Sequence, residues 1–520
     1  MTLGDHLQPL RGLDSSQAPG DVDGGLPLVE GNTSPLEIEQ VVGYFAGGSM
    51  PLEMHRTTAV ERVFLLDADK RLLALRGANF NGFLLDSRDI FLDMLADAGV
   101  GSLSGDQQEA MRSANDAYSG LSPFFNLKSA LNQLFGKELF LPVHQGREAE
   151  NVIAQCLISP ESVVLSNCRL VVTKAASLIN PASVLELVPQ SSFDTTFEAP
   201  FKGDIDLGLL AQTTESVGVE RIAFVRIECG ANLLGGQPVS LANLHAVSEF
   251  CSKHGLLLVL DASILADNLY FIKTREAAAR DKSIRQIALE MADLADIVYF
   301  GASKYGSLRG GGILTNNQEL YHRMRQFVQL YEGYLAIGGM SVRELQTIAL
   351  GVAETCDFHV VSQTPVFVAE LFRMLSKRGV PCASPPGGLG VYIDARRFLD
   401  HLPQEQYPGG SLAAAIYLAG GIRAFDRGTM SEERNPDGSE HLANMEMTCL
   451  ALPKRVFSLS QLAYVADRIA WLYECRRMIG GLRFTEEPGR LRCFFGRLES
   501  IGDWPEQLLA AFKKEMPSGI

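Results

Sequence analysis

Residues 221–261, RIAFVRIECGANLLGGQPVSLANLHAVSEFCSKHGLLLVLD, carry the pattern that decides the fold. Arg221–Ile227 is rich in β-branched and apolar residues and predicts a strand. Ser240 stands where it would cap a helix, and that helix closes on Gly255, a residue suited to the left-handed turn that ends helices. Leu256–Asp261 is apolar without polar alternation, as in a strand covered on both faces of a parallel sheet. Working outward, Glu138–Val143 (ELFLPV) predicts another strand. The residues after it place Ala149, Val152, Ile153, Cys156 and Leu157 on one helical face. Ile297–Phe300 (IVYF) predicts a further strand. Strands alternating with helices predict an α/β fold, its sheet covered on both faces. From about 355 to 520, helices mix with short strands such as Gly390–Ile393 and Arg492–Phe495, and a second, smaller α+β domain is expected. Residues 1–45 are turn-rich, without sustained periodicity, and read as a flexible tail or linker.

Composition narrows the function classes. The chain has 520 residues, 46% of them hydrophobic, and a formal charge of −15. That apolar share suits a globular protein with sizeable cores. The acidic balance argues against a nucleic-acid partner and against docking on an anionic membrane. None of the nine cysteines forms a CxxC pair, and no His/Cys spacing reads as a zinc site. There is no secretory signal pattern at the start and no apolar run of membrane-span length. A cytoplasmic protein is expected.

In open α/β sheets, ligands collect beyond the carboxyl ends of the strands. Past the first predicted strand come Gln145, Gly146 and Arg147 at a helix start: free amides, a flexible glycine and a guanidinium suit a phosphate. Past Arg221–Ile227 comes Asn232. Asp261 closes one apolar strand, and Lys304 follows Ile297–Phe300 in GASKYG, ahead of the glycines 310–312. Each has a plain reading as a helix cap or a solvated loop residue. Together and in this order they fit pyridoxal phosphate. That cofactor needs a lysine amine for its aldehyde, a carboxylate for its ring nitrogen and a cradle for its phosphate.

The sequence resembles the β-eliminating lyases, the pyridoxal-phosphate family of tyrosine phenol-lyase and tryptophanase, and is closer to the former. The segments that carry the resemblance are FLLDSRDIFLDMLAD, HQGREAENVI, FKGDIDL, GGQPVSLANL, DNLYFIK, GASKYG with GGGIL, YEGYLAIGG, IDARRF and IRAFDRG, in family order from about 51 to 500. The resemblance implies fold type I, the aspartate-aminotransferase-like fold of pyridoxal-phosphate enzymes. A large domain (96–354) would hold the cofactor, and a small one would combine 46–95 with 355–520. It implies that Lys304 is the Schiff-base lysine and Asp261 the pyridinium partner. Asn232 would bind the ring hydroxyl, and Gln145, Gly146 and Arg147 the phosphate. Tyr118 would protonate the leaving group across a dimer interface. Arg427 would act with it, and Phe83 and Phe425 would line the pocket. A homodimer or homotetramer is implied, with a monovalent cation near Asp116.

The departures from the family are selective. Cys449 stands where the family grips the substrate carboxylate with an arginine. Ala96 and Ala98 replace two hydroxyl residues that assist it. Leu170 replaces the aromatic residue stacked on the ring, Val171 its neighbouring threonine, Ile264 a second arginine and Ser303 a lysine. Lys454 and Arg455 are nearby cations that could take over the lost grip. The expected activity is therefore β-elimination, with C–S or C–C cleavage, on a bulky or carrier-tethered amino acid such as an S-substituted cysteine adduct. Pyruvate and ammonia would be released, and tyrosine in its usual pose would be a poor substrate. The alternatives are an aminotransferase, decarboxylase or aldolase-type enzyme, and a non-catalytic homologue.

Overall fold

The computed structural model describes residues 41–45, 48–57, 59–98, 101–117, 119–168, 183–306 and 309–516. The expected tail lies outside them up to residue 40. Val41–Gly43 pairs antiparallel with Ser49–Pro51.

The central sheet contains β1 (Leu139–Val143), β2 (Val163–Ser166), β3 (Ser183–Glu186), β4 (Ile222–Glu228), β5 (Leu258–Asp261), β6 (Ile297–Gly301) and β7 (Gly311–Thr315). Their spatial order is β1-β7-β6-β5-β4-β2-β3. β7 runs antiparallel to both neighbours, and the other pairs are parallel. The sequence pattern explains why both faces are covered. Side chains alternate along a strand. Val225, Ile227, Leu258 and Leu260 join an apolar core on one face. Phe224, Val259, Ile297 and Tyr299 join another on the opposite face. Each such side chain, fully buried, contributes about 1.5–3 kcal/mol.

Helix α1 (Gly146–Leu157) follows β1 and buries Ala149, Val152, Ile153 and Cys156, as its spacing predicts. Helix α2 (Leu241–His254) crosses from β4 to β5. Ser240 Oγ accepts from the Asn243 amide at its start, and Gly255 ends it with φ of 67°. Helix α3 (Leu265–Arg275) follows β5, and the single turn α4 (Ser303–Gly306) follows β6.

A second core gathers Ala68–Met94 with Val368–Phe512. Its sheet is β8 (Gly390–Asp394), β9 (Phe425–Arg427) and β10 (Met447–Ala451), antiparallel in the order β8-β10-β9. Leu92–Asp93 pairs in parallel with Ile422–Arg423, so the two ends of the chain are joined here. One sequence expectation fails. Arg492–Phe495 is a helical turn, not a strand, and the strand is Arg497–Ser500. Four residues are too few for periodicity to decide. The turn forms because Leu491 takes a left-handed φ of 53° and the buried Arg492 pairs with Glu440 and Glu487. Among the described residues, no helix is long and apolar enough to cross a membrane.

Candidate active site

The carboxyl ends of β1, β4, β5 and β6 bring the sequence-derived residues to one edge of the sheet. At the end of β1, Gln145 is the N-cap of α1 and makes no side-chain cap hydrogen bond. The Glu148 amide donates to the Gln145 carbonyl at 3.1 Å, and the Gly146 and Arg147 amides, without a side-chain cap, are placed for an anion. A Cβ on Gly146 would stand 3.1 Å from the backbone of Gly301, so the start of α1 meets the end of β6 only through glycine. The Arg147 guanidinium lies 4.9 Å over the Phe494 ring. Burial pulls its pKa below the ordinary arginine value. It pairs with none of the described carboxylates.

Asp261 closes β5 and is buried. Its Oδ1 accepts from the Ser263 amide at 2.9 Å. Its Oδ2 accepts from Arg226 Nη2 at 2.7 Å and from the Tyr299 hydroxyl at 2.8 Å. Arg226 also reaches Glu228 at 2.9 Å and Glu150 at 3.3 Å. Tyr299 lies 2.7 Å from Glu150. One guanidinium thus faces the buried carboxylates of Asp261 and Glu228 and the partly buried one of Glu150. Asn232 sits beside them: its amide donates to Glu228 at 3.0 Å, and its Oδ1 accepts from the Tyr392 hydroxyl at 3.2 Å.

Past β6, Lys304 Nζ lies 2.8 Å from Asp97 Oδ2, both side chains mostly buried. They line a void of about 450 Å³, open to solvent, with Ile264, Asp267, Ser303, Thr364 and Lys454. Burial pushes the Asp267 carboxyl up to about 6. Burial, then the adjacent Arg455, pulls the Lys454 ammonium down to about 8. Arg455 is held by Gln363 at 3.0 Å and Glu354 at 3.2 Å. The Lys454 ammonium has no hydrogen-bond or ion-pair partner among the described residues. Thr364 and Lys454 also border a void of about 370 Å³ walled by Phe367, Val456 and Phe457.

Cys449 lies in β10 directly between Tyr392 of β8 and Phe425 of β9. It is 1% exposed, and burial pushes its thiol up to about 11. The surrounding cluster includes Leu389, Met445, Met447 and, at its edge, Phe83. Phe83 packs edge-on against Phe425 at 5.1 Å and Phe494 at 4.6 Å. Arg427 lies 3.9 Å over the Phe425 ring, and its buried Nε has no hydrogen-bond partner among the described residues. Arg427 lines a separate void with Phe193, Leu233 and Met445, apart from the one that holds Lys304.

Ala96 and Ala98, expected in the pocket, are exposed, and Asp97 between them faces Lys304. Neighbouring side chains diverge along the backbone, so the three do not share one face. Asp116 is exposed as well. Tyr118, Leu170 and Val171 lie outside the described residues. Among those described, no group of three or more His, Cys, Asp or Glu could hold a metal. Sequence reasoning missed Asp97, Glu150, Arg226, Glu228, Tyr299 and Phe494. The charges inside RIAFVRIE were the one visible signal, since a buried strand rarely carries them.

A buried cluster with an excess of carboxylate calls for a second cation. Uncapped amides beside an unpaired arginine call for an anion, and a lysine at an open void has an amine to offer. Pyridoxal phosphate, with a ring cation, a phosphate and an aldehyde, fits this donor set. The fold and site define a fold type I pyridoxal-phosphate enzyme. Solved structures agree on the fold. A putative kynurenine aminotransferase from Saccharomyces cerevisiae covers 78% of this chain and 94% of its own, with TM-score 0.56 and 15% identity. An aminotransferase from Staphylococcus aureus covers 74% and 94%, with TM-score 0.51 and 14% identity. The beta-eliminating lyase family model matches residues 93–468. Tyrosine phenol-lyase of Pasteurella multocida is 35% identical over 451 residues, covering 86% of this chain and 98% of the relative. That of Lacrimispora saccharolytica is 37% identical over 450 residues, covering 86% and 96%. The chain belongs to the β-eliminating lyase family and is a pyridoxal-phosphate-dependent lyase.

Proposed function

We propose that this lyase cleaves a Cβ–X bond, C–S or C–C, of a bulky amino acid such as an S-substituted cysteine, releasing pyruvate and ammonia, and that tyrosine is a poor substrate. The observation that carries the reading is Cys449. Where relatives place a carboxylate-gripping arginine, this chain has a thiol sealed between Tyr392 and Phe425 in an apolar cluster. Loss of an Arg–carboxylate contact costs several kcal/mol at a desolvated site. The void beyond Lys454 offers room for a larger group.

The bound cofactor supplies an electron sink for the pair of electrons left when the α-proton departs. Lys304 takes that proton at Nζ. Asp97, 2.8 Å away, orients the amine and balances its charge once protonated. Gln145, Gly146 and Arg147 would hold the phosphate, Asp261 would pair with the ring nitrogen, and Asn232, which also bonds Tyr392, would bind the ring hydroxyl. Ser303 and Ile264, which line the void beside Lys304, would border the ring. Phe83, Phe425 and Phe494 form an aromatic wall, and Arg427, stacked on Phe425, would assist the departing group from behind it. Tyr118 of a second chain completes a homodimeric or homotetrameric site. The shared core of 68–94 with 368–512 supports reading 46–95 and 355–520 as one small domain.

Lys454 takes over the carboxylate grip, because Arg455 is already engaged and Lys454 is not. Lys454→Met is expected to lower kcat/KM roughly 30- to 100-fold for free amino acids, about the worth of one charge-assisted hydrogen bond. The same variant changes turnover of the matching amino amides little. The sign with pH follows from the lowered ammonium. Its charge is present below about 8 and lost above it. KM for carboxylate substrates therefore rises in alkali, and the rise disappears in the variant. Equal losses on acids and amides would refute the assignment.

The substrate is tested by a panel of S-substituted cysteines, tyrosine and tryptophan, with products read by mass spectrometry. Pyruvate from the bulky S-adducts at rates well above those from tyrosine is expected. Efficient turnover of tyrosine overturns the substrate reading. Keto-acid exchange without pyruvate points to transamination instead.

A further inference from the structure

We propose that Arg226 and Glu228 form a counter-charge network behind Asp261 that sets the protonation of the cofactor's ring nitrogen, with Glu228 as its adjustable member. The proposal rests on the cofactor reading of the site. The network follows from strand register. Glu228 pairs directly with Asp261 across β4 and β5, and Asp261 pairs with Tyr299 across β5 and β6. Residues two apart on a strand share a face, so Arg226 stands one step behind Glu228. On that face Phe224, Val259 and Ile297 are apolar, and the run becomes charged only at the carboxyl ends.

Arg226 Nη2 reaches Asp261 at 2.7 Å, Glu228 at 2.9 Å and Glu150 at 3.3 Å, and its Nε donates to the Tyr299 hydroxyl at 2.8 Å. The Arg226, Glu228 and Asp261 side chains are 2%, 4% and 7% exposed, so solvent does not screen them. Asp261 Oδ2 is filled by Arg226 and Tyr299, and among the described residues Oδ1 takes only the Ser263 amide, leaving a lone pair there for a ring N–H. Arg226 alone would weaken a ring cation on Asp261 by like-charge repulsion. Glu228 offsets that repulsion from the adjoining strand, and Glu150 does so from α1. The thiols of Cys168 and Cys229 also border Glu228, and burial keeps both protonated. Without a ring cation, burial pushes the Glu228 carboxyl up to about 7, as an excess of negative charge requires. A ring proton at Asp261 then takes the place of the proton on Glu228. The Glu228 O–H bond breaks and gives its proton to solvent, and a ring N–H bond forms with a proton from solvent, so the count of protons and charge in the cluster is unchanged.

Glu228 is a positioning residue and touches no reacting atom, so its test reads the ring nitrogen rather than turnover. The reconstituted holoenzyme, loaded with cofactor isotope-labelled at the ring nitrogen, is titrated by NMR. In Glu228→Gln the ring proton is expected to leave about one pH unit or more lower than in the wild type, a tenfold or greater change in proton affinity. Cofactor content, read by absorbance, stays the same. Glu228→Asp keeps the charge and restores the wild-type titration. If Glu228→Gln does not fold, Glu150→Gln shifts the titration in the same direction by less. Superimposable titrations of wild type and Glu228→Gln, or of wild type and Glu150→Gln, overturn the network. Failure of the wild-type chain to take up cofactor overturns the site reading beneath it and is recognised by the missing absorbance.

Discussion

Lys304→Ala is expected to lose product release by at least about 10³-fold, within the range of a lost proton-transfer group, together with the visible absorbance of lysine-linked cofactor. The two losses share one cause. In the proposed function Lys304 is both the amine that attaches the cofactor and the base that takes the α-proton. Its side chain is 16% exposed and opens on the void, so truncation fills or empties no core. Asp97, 14% exposed, is left to water rather than to an apolar wall. The melting temperature should change little, which separates chemistry from stability. A variant that keeps both the absorbance and the pyruvate would remove Lys304 from the mechanism. One that keeps the absorbance but loses turnover would move the attachment point elsewhere.

The second large effect is on stability. Arg226→Met is expected to destabilise the chain by about 3–5 kcal/mol, the cost of leaving buried charge without its partner. Arg226 is 2% exposed and is the guanidinium shared by Glu150, Glu228 and Asp261. Its removal also takes one donor each from Ser166 Oγ and the Cys168 carbonyl, at 3.4 Å and 3.3 Å, though these two groups still bond one another. The pH dependence has a definite sign. Burial already raises Glu228 to about 7, and loss of the guanidinium that opposes this raises it further. Groups raised in the folded state favour folding at low pH and lose that contribution as pH rises through the folded value. The deficit should therefore be larger near pH 8 than near pH 6, as denaturant melts at the two values would show. Equal stability of variant and wild type at the higher pH would mean the cluster is not ionised.

The sheet was legible because its signals are local. Strand β5 is a run of apolar residues ended by Asp261, and α2 carries its cap at Ser240 and its stop at Gly255. Because ligands gather at strand ends, the same runs marked Gln145–Arg147, Asp261 and Lys304 before any coordinates. Arg492–Phe495 was misread because four residues carry too little period to separate a turn of helix from a strand.

What the chain order could not reveal is which side chains meet. Asp97 and Lys304 belong to distant segments and touch only because the segment after Leu92–Asp93 passes over the end of β6. Arg226 and Glu228 look like polar interruptions until register sets Glu228 opposite Asp261. Lys454 and Arg455 are equivalent as letters, yet Glu354 and Gln363 engage one and leave the other. Elements, caps and strand-end residues follow from short-range sterics and burial, which neighbours in sequence already express. Pair identity, charge balance and the shape of the substrate pocket depend on contacts between segments far apart in the chain, and those exist only once the sheet has chosen its strand order.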